Sequence, residues 1–149
     1  MIGWKKICCP VDFSAASRLA MEQAVELARG SGGELVLLHV DERPPRPVTT
    51  DTLVSTSEIL DLAVVELERT LADWRDAAAR MGASNVDTSF LAGDPAEEIV
   101  RFVREERCEL VVMSTHGRRE PERAVFGSVA EKVVRRAGCS VLVLRPVER

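Results

Sequence analysis

The segment between residues 113 and 129 carries the residue types best suited to binding an anion. It reads Met113-Ser114-Thr115-His116-Gly117, continues for nine residues and ends in Gly127-Ser128-Val129. The two glycines lack a side chain, so the backbone there can approach a bound group closely. Gly127-Ser128 also precedes a helical pattern, and the free N–H groups and dipole of a helix N-terminus attract anions. The spacing indicates a phosphate site; the alternative is that Gly127 only makes a turn and Ser128 only caps a helix.

Two histidines are the remaining candidates for metal or proton chemistry. His39 and His116 both stand at the ends of apolar runs, where their imidazoles would face one cleft. A third ligand with suitable spacing is missing, so we expect no metal site. The patterns G-x-S-x-G and G-x4-G-K-(S/T) are absent, which argues against a serine hydrolase and an ordinary P-loop ATPase.

The four cysteines do not have the spacing of a metal site or a disulfide framework. Cys8 and Cys9 are adjacent, and Cys108 and Cys139 stand alone. A C-x-x-C pair is absent, and so is a Cys/His cluster with zinc spacing. We expect small buried side chains in a reducing compartment. A redox switch at Cys8–Cys9 is the alternative.

Five apolar runs alternate with four helical patterns. The runs predict strands at Ile7–Val11, Glu34–Val40, Val86–Phe90, Glu109–Met113 and Ser140–Leu144, and the patterns predict helices at 15–29, 58–81, 95–106 and 128–137. Gly30, Gly82 and Gly138 are predicted to end helices, and Asp94 to cap the third. The proline-containing stretch at 41–56 is predicted to be a loop.

This alternation predicts one domain over residues 1–149. We expect an α/β fold with a five-stranded parallel sheet of order 3-2-1-4-5 and two helices on each face. Ligands of such sheets bind beyond the carboxyl ends of the strands where the chain reverses direction. That rule points to Val11-Asp12 after the first strand and to Met113–Gly117 after the fourth. Asp12 or Ser14 would alternatively serve only to cap the first helix.

Composition and charge exclude several classes of protein. The chain has 149 residues, of which 46% are hydrophobic, and its 24 acidic against 20 basic residues give a net charge of −4. This balance argues against a nucleic-acid binder, because neutralising phosphates needs excess Lys and Arg. The longest apolar runs fall far short of the roughly 20 residues that span a bilayer, and residues 1–6 show no signal peptide. We expect a cytoplasmic protein without membrane or nucleic-acid partners.

Four segments together resemble a known family. They are I-C-C-P-V-D-F-S at 7–14, G-D-P-A-E-E-I at 93–99, E-L-V-V-M-S-T-H-G-R at 109–118 and G-S-V-A-E-K-V-V-R-R-A-G-C-S-V-L-V-L-R at 127–145. The sequence is similar to single-domain universal stress proteins along nearly its whole length. This resemblance implies a Rossmann-like fold of the adenine nucleotide alpha hydrolase-like class. One branch of the family binds ATP through the pattern G-x2-G-x9-G-(S/T), and another branch lacks the pattern.

The resemblance also implies a nucleotide site that takes ATP with Mg²⁺. Asp12 would contact the adenine or ribose end, and Val40 would meet adenine through its backbone. The loop after the fourth strand and the start of the last helix would hold the phosphates. The implied binding residues are Pro10, Val11, Asp12, Val40, Met113, Ser114, Gly117, Arg118, Gly127, Ser128 and Val129. Ser114 departs from the pattern, whose first position is glycine. If that position needs a positive φ, serine costs about 1 kcal/mol.

A regulatory role follows from the resemblance. It implies a homodimer built on the last strand, which would be an exposed edge of the sheet, through Ser140, Val141, Leu142, Val143 and Leu144. We expect an ATP-binding stress-response regulator with a protein partner that the sequence does not name. A well-placed general base is not evident, so hydrolysis of ATP would be slow at most. The alternatives are an interaction module that binds no ATP, a true ATPase or autokinase, and a receptor for cyclic AMP or another adenine nucleotide.

Overall fold

The computed structural model describes residues 3–42, 53–116 and 127–145, with the backbone alone for 53–60. Strands and helices alternate along these ranges. The strands are β1 (Lys6–Pro10), β2 (Glu34–Asp41), β3 (Val86–Ala92), β4 (Leu110–Ser114) and β5 (Ser140–Leu144), and the helices are α1 (Ala15–Ser31), α2 (Leu53–Arg80), α3 (Pro95–Glu105) and α4 (Ser128–Arg136). In the ranges described, no helix is both long and apolar enough to cross a bilayer.

The strands form one parallel sheet in the order β3-β2-β1-β4-β5, as the sequence predicts. β1 is central and pairs with β2 from Lys6↔Glu34 to Pro10↔Leu38. On its other side β1 pairs with β4, where Cys8 lies opposite Val111. The chain therefore reverses direction between β1 and β4, which opens a crevice at the carboxyl ends of these two strands.

Two apolar cores lie on opposite faces of the sheet. α1 and α2 cover one face, with Met21, Val25 and Leu71 packed on strand residues such as Cys9 and Leu37. α3 and α4 cover the other face; the side chains packed there include Ile99, Val103, Val133, Cys8 and Val111. The prediction of two helices on each face is confirmed. Consecutive apolar residues of a strand pack into the two cores alternately, as expected for a parallel sheet covered on both sides.

Several predicted boundaries differ from the structure. Gly30 does not end α1; the helix continues to Ser31, and Gly32 ends it with φ +70° and an N–H bonded to the Ala28 carbonyl. α2 begins at Leu53, so the predicted loop at 41–56 is too long at its C-terminal end, and residues 43–52 lie outside the described ranges.

The signal at the start of α3 is confirmed. Asp94 caps the helix, with a carboxylate oxygen that accepts from the Glu97 N–H at 3.0 Å. Pro95 follows in the first turn, where its missing N–H costs nothing. Two acidic residues, Glu97 and Glu98, lie in the same turn, as the helix dipole favours.

Candidate functional site

A cavity of about 570 Å³ opens at the carboxyl ends of β1, β2 and β4. This volume lies within the range of about 300–1,000 Å³ that is typical of small-molecule sites. Most of the residues singled out from the sequence line it: Pro10, Val11, Asp12, Val40, Met113, Ser114, Ser128 and Val129. The crevice rule and the family resemblance therefore lead to the same place in the fold.

Asp12 belongs to the turn that links β1 to α1. Its carboxylate accepts hydrogen bonds from the N–H and the hydroxyl of Ser14, the first at 3.0 Å. Ser14 in turn is the N-cap of α1, and its hydroxyl oxygen accepts from the Ser17 N–H at 3.1 Å. Of the two predicted caps, Ser14 is therefore the cap, while Asp12 orients that cap and lines the cavity.

An aromatic group backs this turn. Phe13 has a φ of +66°, a conformation that L residues with a bulky side chain rarely adopt. Its ring stacks on His39 at a centroid distance of 4.5 Å and meets Trp74 edge-on at 5.4 Å. His39 is almost completely buried, and its Nδ1 lies 2.8 Å from the Val11 carbonyl oxygen. These contacts hold the Asp12 turn against the end of β2.

The start of α4 forms the opposite wall of the cavity. Its N-cap, Gly127, has no side chain to bond the first-turn N–H groups of the helix. Ser128 and Val129, which open the helix, line the cavity. A helix start without a side-chain cap presents backbone donors and positive dipole charge. This wall can therefore receive an anion.

The backbone N–H of Gly127 is used in a hydrogen bond within the protein. Its own N–H donates to the Thr115 carbonyl at 2.6 Å, and Thr115 N–H donates to the Leu144 carbonyl at 2.9 Å. Gly127 does not line the cavity. The Gly127 N–H thus links the start of α4 to Thr115, which is itself bonded to the last residue of β5. The cavity-lining residues at the helix start are Ser128 and Val129. Two predicted binding residues of the loop, Gly117 and Arg118, lie outside the described residues.

Ser114 stands where the nucleotide-binding pattern has glycine. It is the last residue of β4, and its φ is not positive. Its hydroxyl donates to the His116 carbonyl at 2.9 Å, within its own loop. The condition under which serine would be strained is therefore not met at this position.

Charge is distributed unevenly across the cavity. Asp12, Asp41 and Glu42 bring carboxylates to the side formed by β1 and β2. The opposite side carries the N-terminus of α4. A ligand with hydrogen-bond donors at one end and negative charge at the other matches this arrangement. Sequence reasoning named neither Asp41 nor Glu42, although both directly follow Val40, a position it did select.

The two histidines are not brought together as a reactive pair. His39 bonds to Val11, and His116 Nδ1 lies 2.9 Å from the Thr115 hydroxyl. Only His39 lines the cavity. Among the residues described, no three His, Cys, Asp or Glu side chains are grouped so that they could hold a metal ion.

Comparison with known proteins identifies the family. The profile described as Universal stress protein family matches residues 3–145. The chain belongs to the universal stress protein family. Universal stress protein MJ0531 of Methanocaldococcus jannaschii is 34% identical over 142 residues, which are 95% of this chain and 82% of that protein.

Solved universal stress proteins share the fold. UspA from Lactobacillus plantarum superposes with a TM-score of 0.86 at 27% identity, covering 97% of this chain and all of that one (100%). Two neighbours at lower identity were solved with a ligand. One is a universal stress protein in complex with cAMP (TM-score 0.71, 20% identity, coverage 96% and 98%). The other is the Archaeoglobus fulgidus protein in complex with dAMP (TM-score 0.68, 23% identity, coverage 96% and 98%).

Proposed function

We propose that this universal stress protein is a cytoplasmic regulator that binds an adenine nucleotide, ATP with Mg²⁺, in the cavity between β1, β2 and α4. The observation that carries the proposal is the cavity itself. It joins a carboxylate-bearing side at Asp12 to an α4 N-terminus without a side-chain cap at Ser128 and Val129. These are the two chemistries that a nucleotide requires.

The base and ribose fit the side formed by β1 and β2. Ribose hydroxyls and the adenine amino group are hydrogen-bond donors, and the carboxylates of Asp12 and Asp41 are acceptors. Val40 offers backbone groups and an apolar surface beside them. A carboxylate near the end of the second strand is a recurrent partner of ribose in related α/β folds.

The phosphates fit the start of α4. Backbone N–H groups of a first helical turn bind phosphate oxygens, and the helix dipole adds to the attraction. The Ser128 hydroxyl would donate a further hydrogen bond. Mg²⁺ would be held mainly by the phosphates and water, as is usual for nucleotide-bound magnesium.

Two observations from related structures support adenine as the base. One solved neighbour holds cAMP and another holds dAMP. Both belong to the same fold, and both ligands contain adenine. The 113–129 segment retains the pattern of the ATP-binding branch at all positions except Ser114, and Ser114 is not strained.

We further propose that the protein is a homodimer built on β5. Within the described part of the chain, β5 pairs with β4 alone and is an edge of the sheet. Val141, Leu142, Val143 and Leu144 are only half-buried. An apolar edge strand of this kind is stabilised by pairing with a second copy.

Calorimetric titration with Mg-ATP tests the nucleotide proposal. We expect saturable binding to the wild-type protein and about tenfold weaker binding to Ser128→Ala, since a hydrogen bond to a charged group is worth about 1.5 kcal/mol or more. Ser84→Ala is the matched control, because this exposed serine lies just before β3, outside the cavity and away from β5. Equal losses in both variants would contradict the site.

Titrations with AMP, cAMP and GTP separate the parts of the ligand. Retained binding of AMP and cAMP with loss of GTP binding would support an adenine pocket. No heat with any nucleotide at millimolar concentration, from a folded protein, would overturn the proposal.

A further inference from the structure

The His39 imidazole has two ring nitrogens, and the fold uses only one of them. Nδ1 lies 2.8 Å from the Val11 carbonyl oxygen. A carbonyl oxygen only accepts hydrogen bonds, so in the neutral ring the proton is on Nδ1 and Nε2 is an acceptor. Within the part of the chain that the structure describes, no residue is bonded to Nε2.

The packing of the ring leaves Nε2 accessible from the cavity. Phe13 stacks on the imidazole at 4.5 Å, Phe90 lies against it at 5.6 Å, and the Val11 carbonyl occupies the edge at Nδ1. His39 is only 9% exposed, and it lines the cavity. Among the described residues, every side-chain N or O atom that is sealed from solvent has a hydrogen-bond partner. Nε2 has none, so it is not sealed, and the open space beside His39 is the cavity.

The polar groups around this part of the cavity do not supply a donor to Nε2. The hydroxyl of Ser17 donates its one proton to the Ser14 carbonyl at 3.1 Å and accepts from the Asp12 N–H at 3.4 Å. The carboxylates of Asp12 and Asp41, which line the same side, are acceptors when ionised. This side of the cavity therefore presents acceptors, and a donor for Nε2 has to come from a bound molecule.

We propose that His39 is a nucleoside-recognition residue, whose Nε2 accepts a hydrogen bond from an N–H or O–H group of the nucleoside bound in the cavity. Ionised phosphates offer acceptors, so the matching part of a nucleotide is its nucleoside. The donors there are the amino group of adenine and the ribose hydroxyls. This assignment rests on the proposed function, and it adds a side chain that the family resemblance does not include among the binding residues.

Nitrogen-15 NMR of the imidazoles tests the first step without any ligand. The chain has two histidines, so the signals that disappear in His39→Phe belong to His39. At pH 8 we expect a protonated Nδ1 and an unprotonated Nε2. A proton on Nε2 would overturn the proposal, because that nitrogen could not then accept a hydrogen bond. This result is independent of whether the protein binds ATP.

Calorimetry with analogues of ATP tests the hydrogen bond itself. ITP has a carbonyl in place of the adenine amino group, and 2′-deoxy-ATP and 3′-deoxy-ATP each lack one ribose hydroxyl. We expect the analogue that lacks the donor to Nε2 to bind about fivefold more weakly than ATP to the wild-type protein. The identity of that analogue distinguishes the amino group from either hydroxyl. Equal affinity for ATP and all three analogues would contradict the proposal.

Two variants separate a contact with the ligand from a role in the fold. His39→Asn can still donate an amide N–H to the Val11 carbonyl, and His39→Phe keeps a ring against Phe13; neither has an acceptor in place of Nε2. In both variants we expect the affinity ratio between ATP and the affected analogue to fall from about five to about one. A purely structural role would weaken both ligands by the same factor and leave the ratio unchanged, which would refute the assignment.

Phe90→Leu is the matched control. It alters the packing of the same imidazole from β3, at a position outside the cavity, and leaves both ring nitrogens in place. We expect this variant to keep the wild-type affinity ratio. A ratio of about one in Phe90→Leu would show that discrimination follows packing and not Nε2. Failure of the wild-type protein to bind ATP would overturn the proposed function together with this inference, whereas ATP binding with a protonated Nε2 would overturn this inference alone.

Discussion

Phe13 and His39 stack with their ring centroids 4.5 Å apart and their planes inclined by 27°. Phe13 lies three residues beyond the end of β1, and His39 lies near the end of β2, so the contact joins two of the strands whose carboxyl ends form the cavity. His39 also reaches the Val11 carbonyl through Nδ1. The His39 imidazole thus holds the backbone of Val11 and the side chain of Phe13, the two residues that flank Asp12 where it lines the cavity.

Removal of the His39 ring should weaken the fold as well as the site. His39→Ala loses a buried hydrogen bond and an aromatic contact, and we expect the free energy of unfolding to fall by about 2–3 kcal/mol. His39→Phe keeps a ring against Phe13 but lacks the hydrogen bond to Val11, so its loss should be smaller, about 1 kcal/mol. Urea unfolding measures both. Equal losses in the two variants would show that the aromatic contact contributes nothing.

At position 13 a glycine variant should be more stable than an alanine variant, which reverses the usual order of stability of these two residues. Both substitutions remove the ring from His39 and Trp74. A φ of +66° is strained for alanine, whereas glycine adopts it without strain. We expect Phe13→Gly to be about 1 kcal/mol more stable than Phe13→Ala. Chemical denaturation of the two variants side by side checks this. If alanine is the more stable, the turn relaxes to another conformation when the ring is removed.

The sequence predicted the sheet more accurately than it predicted the helix ends. Continuous apolar runs alternating with helical patterns predict a parallel sheet, and the strand order was expected because five such strands are commonly arranged with the first in the centre. The end of α1 was misplaced because Gly30-Ser31-Gly32-Gly33 offers three glycines. Their roles differ only through contacts that the folded chain creates: Gly32 adopts the left-handed conformation, and Gly33 lies against the backbone of Trp4.

For the cavity, the sequence predicted which residues line it but not the contacts that position them. Residues at strand ends, such as Asp12 and Val40, follow from the crevice rule and the family resemblance. The bond from Gly127 to Thr115 does not, since it depends on how the loop returns to the sheet.

Gly30 and Gly33 should respond to alanine in opposite directions. A Cβ at Gly30 meets nothing within 4 Å inside α1, whereas a Cβ at Gly33 would lie 2.0 Å from the Trp4 carbonyl oxygen. Gly30→Ala should stabilise by about 0.5–1 kcal/mol, and Gly33→Ala should destabilise by about 2–3 kcal/mol. Thermal and urea unfolding of both variants test the prediction. A stabilised Gly33→Ala would contradict the close approach of Gly33 to Trp4.

Restoring glycine at position 114 should change nucleotide affinity little. Ser114 has no positive φ, and its hydroxyl is bonded to His116. We expect the Kd for Mg-ATP to change by less than about threefold in Ser114→Gly, since no backbone strain is relieved. Calorimetric titration measures this Kd, and the change in Kd for Ser128→Ala gives the size of the loss with which it is compared. A tenfold gain in affinity would show that the serine side chain obstructs the site.

Stability should fall in alkaline solution, partly through Cys9. Burial raises the pKa of Cys9 from 9.0 to about 12. Between these values the unfolded chain has lost a proton that the folded chain retains, so this thiol stabilises the fold fully below pH 9. Its contribution falls by about 1.4 kcal/mol per pH unit as the pH rises towards 12.

Cys9→Ala tests this dependence. The difference in free energy of unfolding between wild type and Cys9→Ala, measured with reductant, should shift by about 1.4 kcal/mol in favour of the variant between pH 8 and pH 10. Cys139→Ala is the control, because Cys139 is only partly buried. A difference that does not vary with pH would mean that Cys9 ionises as readily in the folded chain as in the unfolded one.

The central position of β1 has a consequence for synthesis on the ribosome. β1 is made first; β2 can pair with β1, and β3 with β2, as soon as each emerges. The other edge of β1 must wait for β4, which begins at Leu110. At about 5–20 residues per second, this delay is roughly 5–20 s. During that time the nascent chain presents an apolar strand edge to its surroundings, so the growing polypeptide is most in need of a chaperone before its fourth strand leaves the exit tunnel.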